Sequence, residues 1–419
     1  MVATGLSPPS RWCLSIMGFV VSAATSAQPD VGPALAELHA ALGIAERGRP
    51  DFLAVHASLA WDVDSLRAGA LDALAGGHLH GGTSCRGVMG NGGARLSDRA
   101  GVGAFAIWDA DGDFGSGSAE LGADPRAAAA AATRDALAAA GRVGEAPELI
   151  WLTAAPGSEE LVLSGIIDVV GAHPRIMGGS AADDDVSGNW RQFDATGVRS
   201  DGVVVSVLFT SRPVSLSYQN GYAPAGPSAE VTRVEGRRIL TLDHRPAADV
   251  YAEWIAACGA DPLPEVGAQA VSILAESTFQ PLGRVAGALN GVEQFALVHP
   301  AERHADGSLV VFADVSQGER VWLMKGSPES LVARAGRVAA QAAHHRLNRD
   351  APVAGALVIF CGGCMLAITD QMDRVAAEVD RALEGRPFLG IFTFGEQGVL
   401  ASGSVEHANL MISCAAFEG

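Results

Sequence analysis

Charge is sparse in this chain. Only 18% of its 419 residues are Asp, Glu, Lys or Arg, and the formal net charge is -18. An acidic protein repels nucleic acid and anionic membrane, which argues against both as partners. Cysteine is sparse too, with six residues at positions 13, 85, 258, 361, 364 and 414. These are too few for a disulfide framework, and reduced thiols in a cytoplasm are the simplest reading. No apolar run reaches the roughly 18 residues that span a bilayer. No second Cys-x-x-Cys joins Cys361-Gly-Gly-Cys364, and Met365 follows it, so the haem-attachment pattern is missing. Ser84 lacks the flanking glycines of a nucleophile elbow. Asp183, Asp184 and Asp185 lack the spacing of an EF-hand loop. There is no short-period repeat, and no low-complexity segment beyond the alanines at 127 to 132.

What is present is core material and turns. Apolar residues make up 48%, and there are 51 glycines. The length suits two or three domains. Near the N-terminus, the apolar run Cys13 to Ala24 with Ser26-Ala27 has the outline of a secretory signal. It also reads as a first strand, Gly18 to Ala24, feeding a helix with Leu35, Leu38 and Leu42 on one face; we adopt the strand. Residues 1 to 16 are then a loose tail. Strands and helices alternate from there: Asp51 to Ser58 is strand-like, Asp124-Pro125 opens an alanine-rich helix, Glu148 to Ala155 is a strand, and Ser158-Glu-Glu begins a helix. After Asp201 the strands run consecutively, with prolines 213, 224 and 227 between them. Asp306-Gly307 signals a hairpin, and Ser327-Pro328-Glu329 starts a long helix. The expectation is an α/β fold with mixed sheets and packed helices. It divides into two domains, 17–245 and 246–419.

Three strand-to-glycine turns carry small polar groups: His78 to Gly87, Arg175 to Asp185, and Gly355 to Gly398. Ligands in α/β folds collect at such strand ends, so the three predict a pocket. The first offers Thr83, Ser84 and Cys85, whose backbone amides and hydroxyls suit an anionic group. The second offers Gly179, Ser180 and the carboxylate of Asp183. The third offers Cys361, and Glu396 at a strand end. Cys361 and Cys364 together admit three readings: turn or pocket lining, a redox pair, or half a zinc site. The helix after them is expected to begin near Thr369-Asp370. His344 and His345 are adjacent on one helix, so at most one faces inward. Taken singly, no histidine stands out as an iron or zinc ligand.

These segments resemble the FIST (F-box and intracellular signal transduction) sensory domain family. GGTSC stands for the first turn, MGGSAADD for the second, and PFLGIFTFGE for the third. VTRVEGRRILTLDHRPAADVYAEW and DGSLVVFADVSQGERVWLM also fit, and the match runs from about Met17 to the end. The resemblance implies a cytoplasmic, non-catalytic module of bacterial or archaeal signalling. It implies a small-molecule ligand such as an amino acid, bound at Thr83, Ser84, Cys85, Gly179, Ser180, Asp183, Cys361 and Glu396. It also implies no obligate cofactor, and a separately encoded partner such as a histidine kinase or cyclic-di-GMP enzyme. Two alternatives stay open: a haem-binding nitric-oxide sensor of the same family, and a thiol-dependent redox enzyme using Cys361 and Cys364. The chain departs from the pattern at Cys364, where the family carries an arginine, and at Arg86, where it tends to carry a small residue.

Overall fold

The computed structural model of the protein describes residues 18–74, 77–96, 101–267, 269–345, 347 and 351–419. The loose tail expected at 1–16 lies outside the described residues. The first strand forms as Val20–Ser26 and pairs antiparallel with Val102–Trp108.

Three copies of one plan make up the body. In the first unit, Val20–Ser26 leads through a helix to Phe52–Ala57, then through a second helix to His78–Thr83, and Val102–Trp108 closes the sheet. In the second, Asp113–Glu120, Leu149–Ala154, Ile176–Ser180 and Gly202–Phe209 take the same places. In the third they are Val214–Asn220, Val353–Cys361, Phe388–Thr393 and Met411–Glu418. The two middle strands of each unit run parallel, and each joining crossover carries a helix; every other pairing in the unit is antiparallel. Mixed sheets and packed helices are what strand–helix alternation requires. The threefold plan lives in the backbone, which is why no repeat is visible in the residues.

Each unit also lends a hairpin to a neighbour's sheet. Gly87–Gly90 with Gly93–Leu96 extends the third sheet, Gln192–Asp194 with Val198–Arg199 extends the first, and Glu396–Val399 with Val405–Ala408 extends the second. The exchange is cyclic and closes the three sheets on one another. Their inner faces share one core, with Phe52, Phe105, Trp151, Leu357, Ile391 and Phe417 all buried. Burial of each such side chain contributes about 1.5–3 kcal/mol. Helices cover the outer faces; Asp124 accepts the Ala127 amide at 3.0 Å, and Ser327 and Ser330 cap each other's amides.

An insert interrupts the third unit between Val214–Asn220 and the helix Pro328–His344. It is a nine-stranded sheet with the helix Ala247–Ala257 packed on it. Its core is its own, built on Val231, Ile239, Tyr251, Leu309 and Leu323. Gly307 in the expected hairpin has φ +81°, the left-handed region where glycine is favoured.

One local expectation is corrected. The helix after the cysteine pair begins at once, as Gly362–Ala367, and a second helix follows at Met372–Ala382. Two adjacent glycines have poor helix propensity, and this hid the start. Cys361 therefore occupies the N-cap position.

Candidate functional site

The three glycine turns meet. Ala182 donates its amide to the Thr83 carbonyl, Phe394 to that of Ser180, and Cys85 to that of Phe392, each at 3.0 Å. The three bonds form a ring in which each unit holds the next. Close approach demands the glycines: a Cβ on Gly178 would lie 2.4 Å from the Leu152 carbonyl oxygen, and one on Gly81 2.0 Å from the Phe193 ring.

The ring consumes much of the polarity expected to meet a ligand. Ser84 Oγ donates to the Gly87 carbonyl and accepts the Phe392 amide at 2.8 Å. Thr83 Oγ1 accepts the Arg191 amide at 3.0 Å. Asp183 accepts amides from Val186, Gly188 and Asn189 at 2.6–2.8 Å, so it organises its own loop. Gly179 pairs with Glu396 across the sheet. Glu396 is wholly buried, with Thr393 Oγ1 and the Met411 amide on its two oxygens at 2.8 and 2.9 Å. Burial, with Cys361 beside it, pushes its carboxyl well above the usual range.

Beside the ring lies a cavity of about 620 Å³, within the range of small-molecule sites. Of the eight residues expected to bind ligand, Cys361 lines it. The other seven pack at the ring and do not. Ser180 acts one step removed: its Oγ donates to Glu159 Oε1 at 2.9 Å, and Glu159 is on the cavity wall. Three parts of the fold supply the walls. The second unit gives Glu159 and Trp190, the insert gives Arg237, His299 and Phe312, and the third unit gives Cys361, Phe394 and Asn409.

Glu159 opens the helix Glu159–Val170 and is almost fully buried. Its Oε2 accepts the Gly157 amide at 3.0 Å and Arg237 Nη2 at 2.7 Å. Burial alone would raise its carboxyl, but His407 and Arg237 outweigh this and hold it below the usual range. Arg237 also binds Glu160, and Asp314 at 2.8 Å. These bonds latch the insert to the second unit. The insert is also bonded to the third unit, beside the cavity by Asn409 Oδ1 accepting the His299 amide at 3.0 Å and Phe312 O accepting from His407 Nε2 at 3.1 Å, and farther off by Arg284 to Glu406 at 2.8 Å and the Ser402 amide to Gln294 at 2.7 Å. His299 is buried on the cavity wall; desolvation lowers its imidazole to about 4 and keeps it neutral.

The thiols are quiet. Burial pushes Cys85 and Cys361 well above the ordinary thiol value, and Cys414 up to about 12. Cys364 is buried against Tyr222, 3.6 Å from its hydroxyl. Among the described residues, no histidine hydrogen-bonds to Cys85 or Cys361. Glu159, Glu160 and His407 approach one another closely enough to consider a cation. Arg237 already hydrogen-bonds both carboxylates, so an ion would have to displace it.

The FIST N domain model matches residues 51–245 and the FIST C domain model residues 247–399. The chain belongs to the FIST family. FIST domains are sensory domains of signal transduction. An uncharacterized protein of Methanocaldococcus jannaschii is 30% identical over 183 residues, which is 40% of this FIST chain; the chain spans 33% of that relative. Among solved structures, a cyanuric acid hydrolase from A. caulinodans is 10% identical with TM-score 0.33, covering 95% of this chain and 99% of its own. PurLQS from Thermotoga maritima is 10% identical with TM-score 0.20, covering 96% of this chain and 72% of its own. Scores this low carry no weight for function. The two FIST segments meet at the start of the insert's helix, so Arg237 lies in the first segment while His299, Cys361 and Phe394 lie in the second. No described helix is long and apolar enough to cross a membrane.

Sequence reasoning passed over Glu159, Trp190, Arg237, His299, Phe394 and Asn409. Two signals were available. Glu159 stands in the first turn of a helix whose start was recognised, and Arg237 lies within the quoted segment VTRVEGRRILTLDH.

Proposed function

We propose that this FIST protein is a non-catalytic sensor whose small-molecule ligand occupies the cavity between the insert and the three-unit body. One observation carries the reading: the cavity walls come from the second unit, the insert and the third unit at once. A ligand there touches all three parts at once, with the Arg237 latch at one edge. It therefore favours one placement of the insert over another by the difference of its affinities for the two. The output is taken by a separate cytoplasmic partner, with a histidine kinase or a cyclic-di-GMP enzyme as the expectation. The hydrogen-bonded ring of glycine turns is the rigid support of the site, and Cys361 and Phe394 carry it to the ligand.

A haem reading has one specific observation behind it. His299 is a neutral imidazole on the wall, near Cys361, and both side-chain types hold haem iron. Bound haem would supply an iron centre for a gas, with Arg237 available to a propionate. The thiol-enzyme reading has less behind it, since burial raises the Cys361 thiol and, among the described residues, no histidine hydrogen-bonds to it.

A thermal-shift screen of the whole chain against amino acids, amines and haem tests the proposal. Ligand bound at one hundred times its dissociation constant stabilises the folded state by about 2.7 kcal/mol. A library without a single compound that raises the melting point sinks the sensor reading. A strong Soret band in the purified protein replaces the organic ligand with haem.

A further inference from the structure

The cavity's chemistry narrows its occupant, on the reading that the cavity is a ligand site. At its polar end Glu159 and Arg237 line the wall, and behind the wall the same guanidinium also pairs with Glu160 and Asp314. His407 lies beside Glu159, with Nε2 3.1 Å from the Phe312 carbonyl and Nδ1 3.2 Å from Gln397 Nε2. Negative charge thus outweighs positive around this end. A ligand carboxylate would add to the excess, since the one guanidinium is already shared among three carboxylates. The body of the cavity is lined by Trp190, Phe279, Phe312 and Phe394, with Trp190 and Phe394 edge-to-face at 6.5 Å. Aromatics are only 6% of the chain, so four around one space is a concentration. Aromatic faces attract cations and stack on rings. The net charge of -18 adds a long-range pull on cations.

We infer that the cavity takes an organic ammonium ion carried on an aromatic or bulky apolar body. The ammonium sits at the Glu159 end, and the apolar part lies between the aromatic walls and Leu366. A zwitterionic amino acid of the same size binds less well, because its carboxylate meets the same acidic cluster.

Calorimetric titration of the whole chain with three probes of one body tests this: 2-phenylethylamine, L-phenylalanine and 3-phenylpropionate. The expected order is amine first, then amino acid, then acid, with the amine at least about tenfold tighter than the acid. Glu159→Gln is expected to weaken the amine about tenfold and to leave the acid unchanged or improved. Gly363→Leu is expected to abolish amine binding. Gly363 lines the cavity, and a Cβ there meets only ordinary contacts, with Leu410 at 3.5 Å and with Cys361 Sγ and His299 Cε1 at 3.7 Å. An acid that binds as tightly as the amine overturns the ammonium class and leaves the sensor reading standing. Amine binding that survives Gly363→Leu places the amine elsewhere and overturns the inference. Silence from all three probes also overturns it, and the broad screen then decides the sensor reading separately.

Discussion

Removing the Arg237 guanidinium is the sharpest perturbation of the latch between insert and body. Arg237→Met keeps much of the apolar stem and deletes the charge. The Asp314 bond contributes little, because Asp314 is 59% exposed and such pairs are worth about 0–1 kcal/mol. Glu159 is different, since it is only 1% exposed. Without Arg237 it keeps the Ser180 hydroxyl, the Gly157 amide and the neighbouring His407 but loses its guanidinium partner. Breaking a buried pair from one side costs about 3–5 kcal/mol. The loss has a pH signature with a fixed sign. In the wild type Glu159 sits below its ordinary value, so it stabilises the fold above the unfolded carboxylate range and loses that contribution as pH falls through its folded value. In the variant Glu159 keeps His407 but loses the guanidinium, so its carboxyl rises from the wild-type position, and the penalty is largest at neutral pH and shrinks as acid neutralises the group. Urea unfolding followed by tryptophan fluorescence at several pH values measures both. Adding Glu159→Gln should recover much of the loss, a coupling that a double-mutant cycle reads directly. A loss below about 1 kcal/mol, or no recovery in the double variant, refutes the buried-latch argument.

Other outcomes follow from the same structure. His56 and His299 are fully buried, and desolvation lowers each from its ordinary value to about 4. The unfolded chain binds their protons first, so stability is full above roughly pH 6.5 and falls toward pH 4, by up to about 1.4 kcal/mol per pH unit for each group. Urea midpoints that stay flat between pH 7 and 5 would contradict this. Gly178→Ala forces a Cβ to 2.4 Å from the Leu152 carbonyl and should cost about 1–3 kcal/mol in chemical denaturation; a neutral effect means the sheet gives more readily than its packing implies. Iodoacetamide at pH 7.5 should modify the partly exposed Cys258 well before Cys85, Cys361 or Cys414, as read by peptide mapping. Fast labelling of Cys361 would revive the thiol enzyme.

Local order was legible where chemistry is local. Asp124-Pro125, Ser327-Pro328 and Asp306-Gly307 announced two helix starts and a turn, because caps and positive-φ glycines act within a few residues. The apolar runs at Asp51 to Ser58 and Glu148 to Ala155 announced strands for the same reason. That Thr83, Ser180 and Phe394 meet was legible only as three similar turns; the ring of amides that joins them is made by backbone atoms common to every residue. The threefold plan escaped because units that share a backbone path fill it with different side chains: a His at position 80, a Met at 177, a Leu at 389. The insert of nine strands further separates the first strand of the third unit from the rest of that unit. The cavity was the least legible part. Arg237 and Glu159 are 78 positions apart, and nothing in either segment names the other. Neither a carboxylate at a helix start nor an arginine in a strand hairpin is rare enough to be noticed alone.

The central claim is that ligand binds between insert and body. Its most direct measurement is the ligand-induced melting shift of the wild type against that of Gly363→Leu, using whichever compound the screen selects. The variant should keep a wild-type circular dichroism spectrum and melt cooperatively, yet lose the shift. A variant that still responds to the compound as the wild type does would put the ligand outside this cavity and contradict the account.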